Sequence, residues 1–233
     1  MPRTAIAGVT VAVALLVPGI LALNCVRLLA HDWYVRLEVR RLEPDRLGMT
    51  RAERTELALV GLHSVRPGGQ GIELLREARL PSGKLAFGRR ELRHMADVRV
   101  WMGRLYTAHL IGLALVVALY ALLAVRSATR RLVPRALAWG AVLTLGLAIA
   151  VVVLVAASYE TFEESFHGLL FEGGSWRFRD ADTLRRVYPD RFWSDTATVV
   201  GAGTVIQALA LLGVGRLLRR RQANARGGRT RRS

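Results

Sequence analysis

Four stretches of this chain contain no Asp, Glu, Lys or Arg: Thr4–Val26, Leu105–Val125, Ala136–Tyr159 and Thr196–Gly215, of 23, 21, 24 and 20 residues. A helix rises about 1.5 Å per residue, so about 20 residues cross a hydrocarbon core about 30 Å thick. Each stretch is long enough to do so. A soluble protein of 233 residues with four such helices would lack the polar chain to cover them. The expected fold class is therefore an all-α integral membrane protein. It is a four-transmembrane-helix bundle, a single membrane domain over residues 1–233, capped by two loops.

The first stretch follows Arg3 and resembles a secretory signal, but it is longer than an ordinary signal core and no small-residue cleavage site follows. Leu21-Ala-Leu-Asn-Cys25 is a poor lipoprotein signal ending, because Asn24 stands where a small residue belongs. Cys25 reads as a packing residue of the first span. As the chain's one cysteine it excludes an internal disulfide.

Net charge is +16, which in a soluble chain would point to nucleic acid. Its placement argues otherwise. The link between spans two and three holds Arg126, Arg130, Arg131 and Arg135, and the tail 216–233 holds eight more arginines, with no acid in either. These supply twelve of the sixteen excess charges. Short basic segments mark the cytoplasmic side and meet anionic lipid there. Both termini are thus expected in the cytoplasm, with loops 31–104 and 160–195 outside. The first loop has fifteen basic residues against ten acids, but long loops carry little weight in orientation. No nucleic-acid partner is expected.

Within the first loop, Thr50-Arg-Ala-Glu53 is a capping-box pattern opening a helix to about Val65. A second short helix is expected over Ile72–Leu80, then an extended piece at Lys84–Phe87. From Arg89 a helix runs unbroken into span two. In the second loop the third helix is expected to extend over Tyr159–Phe171, with a turn at Gly173-Gly174. Trp176 and Phe178 alternate with arginines, as in a short strand or an interfacial segment. A short helix is expected over Asp182–Tyr188, and Asp195 is placed to cap span four.

Two segments concentrate reactive side chains. Glu91, His94 and Asp97 are spaced by three and share one helix face. A carboxylate beside an imidazole fixes its tautomer and raises its basicity. Glu163 and Glu164 precede His167 by four and three residues. Each histidine lies just outside a span, and a four-helix bundle can bring the start of span two to the end of span three. The same pattern also suits solvated helix faces with no catalytic role. His31 and His63 are weaker candidates, and His109, inside span two, reads as a buried hydrogen-bonding residue. Trp33, Tyr34, Trp101, Trp176 and Trp193 read as interfacial anchors. No zincin spacing, phosphate-binding Gly loop or Ser nucleophile elbow is present, so no metal or cofactor is expected.

The run Phe87-Gly-Arg-Arg-Glu-Leu-Arg-His-Met-Ala-Asp-Val-Arg99 resembles the signature of the bacterial lipoprotein intramolecular transacylase (Lit-like) family, within a wider group of four-span membrane proteins. So do Phe166-His-Gly-Leu-Leu-Phe-Glu-Gly-Gly-Ser-Trp-Arg-Phe178, Asp182-Thr-Leu184 and Tyr188-Pro-Asp-Arg-Phe-Trp193. Gly174 and Arg179-Asp180 depart from the family, which tends to show an acidic residue and an Asp-Pro there. The resemblance implies an acyltransferase of the bacterial cytoplasmic membrane. It would move the sn-2 acyl chain of a diacylglyceryl-cysteine to that cysteine's α-amine, giving lyso-form lipoprotein. The implied partners are the diacylglyceryl-modified lipoprotein N-terminus and membrane lipids. On this reading His94 activates the amine and Asp97 orients it. His167 protonates the leaving oxygen or polarises the ester carbonyl, and Glu91, Glu163 and Trp176 support the site or position the lipid. Two rival readings are a non-enzymatic membrane protein binding a lipid or partner through its outer loops, and a metal-assisted lipid hydrolase.

Overall fold

The computed structural model describes residues 3–125, 127–171 and 176–230, and among them the chain is helical apart from turns and one antiparallel bridge. In order the helices are α1 (Arg3–Leu29), α2 (Asp32–Arg41), α3 (Arg51–Val65), α4 (Ile72–Glu77), α5 (Arg89–Val125), α6 (Ser127–Arg130), α7 (Val133–Ala157), α8 (Tyr159–Leu170), α9 (Thr183–Val187) and α10 (Asp190–Thr230). Four segments, on α1, α5, α6–α7 and α10, are long and apolar enough to cross a membrane, as the charge-free stretches require. Only 11–28% of the residues in their apolar windows are buried within the protein, which in water would be ruinous and in lipid is the rule.

The chain packs as two compact units. The first comprises Met1–Cys25, Ala108–Val153 and Val200–Ser233. Val13, Val17, Leu123 and Ala136 form its buried core, with Ile6, Leu119, Tyr120 and Leu211 against them. Lipid tails are as apolar as Leu, so helices here gain by close approach. Gly140 permits one, since a Cβ there would stand 2.9 Å from Val17. Polar side chains supply further attachment. Asn24 Nδ2 donates to Gln207 Oε1, which leaves Asn24 Oδ1 to accept from the His109 ring, 2.9 Å away. Gln207 Nε2 donates to the Leu21 carbonyl. His109 is thus the buried hydrogen-bonding residue expected, and Cys25 is a buried free thiol.

The second unit comprises Val26–Thr107 and Leu154–Val199. Its centre is α3, which packs against α2, α4 and α9. The Thr50/Glu53 capping box is present at its start. Asp45 is nearly buried between Arg186 (2.7 Å) and Arg54 (3.4 Å) and also accepts the Met49 amide. The extended piece is confined to the bridge between Arg79 and Leu85.

Two local expectations are corrected. The third helix does not continue to Phe171: Ser158 adopts an extended conformation and its hydroxyl caps a separate α8 by accepting the Thr161 amide. Asp195 does not cap span four, because α10 already starts at Asp190, and Asp195 pairs instead with Arg191 one turn earlier.

Candidate active site

The site lies within the second unit and starts from the first turns of α5. Gly88 precedes that helix, and its amide donates to Glu91 Oε2 (2.6 Å), half of a capping box. Glu91 Oε1 accepts the amide of Leu184 (2.6 Å), in the first turn of α9. Asp182, at the N-cap of α9, makes no cap bond because its carboxylate holds the Arg179 amide and guanidinium. One buried carboxylate therefore caps two helices and ties them together. Burial raises the Glu91 pKa, and the two amides oppose that.

His94 follows one turn later and is 9% exposed. Its ring lies 4.7 Å from that of Phe171 and 5.3 Å from that of Phe178, centroid to centroid. Its Nδ1 is buried with no hydrogen-bond partner. His94 precedes the charge-free stretch that starts at Leu105, so it stands outside the span proper. Desolvation pushes its pKa down to about 4, and nearby His167 adds to the shift. The imidazole is neutral at pH 7, which leaves a nitrogen able to accept a proton. Asp97 is exposed and makes no hydrogen bond to His94; aromatic rings, not the expected carboxylate, surround this imidazole.

His167 sits in the last turn of α8. It stacks on Trp176 with centroids 4.4 Å apart and planes inclined at 20°, and Phe171 lies 5.9 Å away. Both imidazoles thus share Phe171 as a neighbour. Trp101 Nε1, two turns beyond His94 on α5, donates to the carbonyl of Leu170 (2.8 Å). That carbonyl is one of the four a helix end leaves without a partner. Glu164 is exposed and paired with Arg177. The Glu163 side chain and the Gly173-Gly174 turn lie outside the described residues, and Trp176–Arg179 forms no strand. Among the described residues no group of three His, Cys, Asp or Glu side chains converges as a metal site.

The two histidine segments expected to meet do so. The sequence reading missed the roles of Trp101, Phe171 and Phe178. Aromatic residues close to a span read equally well as interfacial anchors, and nothing in their spacing separates the two roles.

A family model described as lipoprotein intramolecular transacylase Lit matches residues 13–193, most of the chain. An uncharacterized protein of Aquifex aeolicus (strain VF5) is 32% identical over 172 residues, covering 73% of this chain and 75% of that one. Among solved structures, the membrane-integral lipoprotein intramolecular transacylase Lit from Bacillus cereus has a similar fold, with a TM-score of 0.79 at 20% identity over 94% of this chain and 98% of that one. A variant of the same protein with a histidine replaced by alanine matches with a TM-score of 0.76 at 19% identity, over 94% and 96% of the two chains. At these identities the structural likeness is one of fold.

Proposed function

This chain belongs to the lipoprotein intramolecular transacylase family and is a membrane acyltransferase, and we propose that it moves the sn-2 acyl chain of a diacylglyceryl-cysteine onto that cysteine's α-amine. The product is lyso-form lipoprotein. The observation that carries this reading is the pair of imidazoles, His94 and His167, packed against the one Phe171 ring.

The transfer needs little beyond positioning and one proton. The α-amine nitrogen attacks the sn-2 ester carbonyl, the bond from that carbonyl to the glyceryl oxygen breaks, and an amide forms. The nitrogen loses a proton and the glyceryl oxygen gains one. Donor and acceptor belong to one molecule, so effective concentration substitutes for a covalent intermediate. An α-amine has a pKa of about 7.7–8, and once it has attacked the carbonyl its nitrogen is a far stronger acid. A neutral His94 takes that proton, and its weak basicity rises as negative charge grows on the adjacent carbonyl oxygen. His167, held flat against Trp176, delivers a proton to the leaving oxygen. Asp97, exposed one turn past His94, attracts the α-ammonium to the site, and that group gives up one proton to solvent before its neutral nitrogen attacks. Glu91 and Trp176 position the histidines, and Glu163 remains a candidate for the same role.

The arginine-rich link and tail favour an orientation with both termini in the cytoplasm. The histidines would then face the outer leaflet of the bacterial cytoplasmic membrane, where a diacylglyceryl lipoprotein presents its ester. Mass spectrometry of one lipoprotein's N-terminal peptide, from cells with and without the gene, tests the reading. Relocation of one acyl chain to nitrogen at unchanged mass is the expected result. An S-diacylglyceryl peptide with a free amine in both strains, across several lipoproteins, would overturn it.

A further inference from the structure

The first unit contains thirteen arginines and no Asp, Glu or Lys. The arginine-bearing segments meet at one end of it. Gly215 of α10 packs against the first turn of α7, where an added Cβ would stand 3.1 Å from the Pro134 carbonyl. Directly after it on α10 come Arg216, Arg219 and Arg220, spaced to share a face. On the facing side are Arg130, Arg131 and Arg135, and Gln222 Nε2 donates to the Arg130 carbonyl, 3.4 Å away. All six arginines are exposed, and none forms an ion pair among the described residues. The first turn of α7 carries no acid either, so the positive end of that helix adds to the field instead of being neutralised.

Six guanidinium groups gathered on two packed segments repel one another and need an anion from elsewhere. Guanidinium forks match phosphate oxygens in pairs. The same helices expose large apolar side chains just beyond the cluster: Trp139 and Val142 on α7, Val214 and Leu217 on α10. A free phosphate or a nucleic acid would use the arginines and leave those surfaces bare. An anionic phospholipid satisfies both, its headgroup on the arginines and its acyl chains along the helices.

We infer that the junction of α6–α7 with α10, with Arg130, Arg131, Arg135, Arg216, Arg219 and Arg220 around it, is a binding site for an anionic phospholipid. The site is separate from the histidine pair and does not depend on the proposed acyl transfer.

The test is lipid retention. The full chain is placed in phosphatidylcholine nanodiscs, phosphatidylglycerol is titrated in, and bound lipid is counted by native mass spectrometry. The native protein is expected to retain phosphatidylglycerol at least tenfold more strongly than phosphatidylcholine. The variant R130Q/R131Q/R219Q/R220Q should lose that preference. A variant of equal charge, R36Q/R40Q/R46Q/R51Q, should stay within twofold of native. All eight side chains are exposed. Should the cluster variant fail to fold, the native titration repeated at 50 mM and 500 mM salt decides. A preference that collapses with salt supports the site, and one that persists overturns it. Equal loss in both variants, no preference in the native protein, or tighter capture of an RNA oligonucleotide than of phosphatidylglycerol would also overturn it.

Discussion

The Glu91 carboxylate lies 2.6 Å from the amide of Leu184, a residue 93 positions away, while its other oxygen holds the Gly88 amide. Two amides then depend on one side chain: the buried Leu184 amide left without a partner costs about 1–3 kcal/mol, and losing the cap on the more exposed Gly88 amide adds about 1 kcal/mol. Glu91→Ala should therefore destabilise the protein by about 2–4 kcal/mol. Glu91→Gln should fall between, because its amide group offers only one oxygen to two donors. Hydrogen exchange gives the sharper reading. The Leu184 amide should lose protection in Glu91→Ala, and an unchanged rate there would show that the cap is not formed in solution.

That contact also shows where reading the sequence stops. The Thr50/Glu53 box was legible because both partners lie within four residues and the pattern carries its own geometry. The spans were legible because hydrocarbon tolerates no charge over about 20 residues. Glu91 looked like a partner for His94 by the same local logic. Its actual partner is an amide brought over by α9, which no spacing rule contains. The break at Ser158 had a faint local signal, a Ser three residues before Thr161, which the apolar run on its N-terminal side masked. The two imidazoles were legible as segments, while the aromatic surroundings that set the His94 proton affinity were not.

At the α3 crossing, an added Cβ on Gly61 would stand 2.6 Å from Tyr188 Oη, which donates to the carbonyl of Ala58. Tyr188 is ringed by Phe192 and Trp193 and has little room to withdraw. Gly61→Ala should cost about 1–3 kcal/mol by overpacking. Tyr188→Phe alone should cost about 1 kcal/mol for the lost hydrogen bond. Combined, the two should cost less than their sum, since the phenol oxygen is the nearest atom. Thermal unfolding of the three variants in detergent checks this, and strict additivity would count against the steric account.

Asp45 links α3 to α9 and supplies a pH signature. Burial raises its pKa, but the Arg186 hydrogen bond, the Met49 amide and the charges of Arg186 and Arg54 outweigh that and bring it from an ordinary 3.8 down to about 2. A depressed carboxylate pKa favours the folded state wherever the group is ionised. The contribution, about 2 kcal/mol, is complete above pH 4 and is lost as pH falls through about 2. Asp45→Asn should remove it at neutral pH and flatten the stability profile between pH 4 and 2. A variant with the native slope in that window would place the titration elsewhere.

Trp101 tests whether the end of α8 is held for catalysis. Trp101→Phe keeps the ring but removes the donor to the Leu170 carbonyl, three residues beyond His167. The stability loss should be small, about 1 kcal/mol. Turnover should fall several-fold with KM little changed, because the substrate still binds while His167 loses its fixed place. A rise in KM at constant kcat would instead make Trp101 a lipid contact.

The sharpest separation of fold from function is expected at His94. Its Nδ1 is buried without a partner, and its ring is enclosed by Phe171 and Phe178. An unsatisfied polar atom in such surroundings lowers stability, by about 1–3 kcal/mol in mutational series. A residue chosen only for packing would be apolar here. His94→Phe should accordingly leave stability unchanged or raise it by about 1 kcal/mol, within the limit set by the slightly larger ring. The same change removes the group proposed to take the amine proton, so formation of lyso-form lipoprotein should cease. His167→Phe should also end activity without that stabilisation, since its ring is only half-buried. Paired melting and lipoprotein-peptide measurements on both variants decide the matter. Retained acyl transfer in His94→Phe would remove His94 from the mechanism. A loss of stability above about 2 kcal/mol would show that the imidazole serves the fold after all.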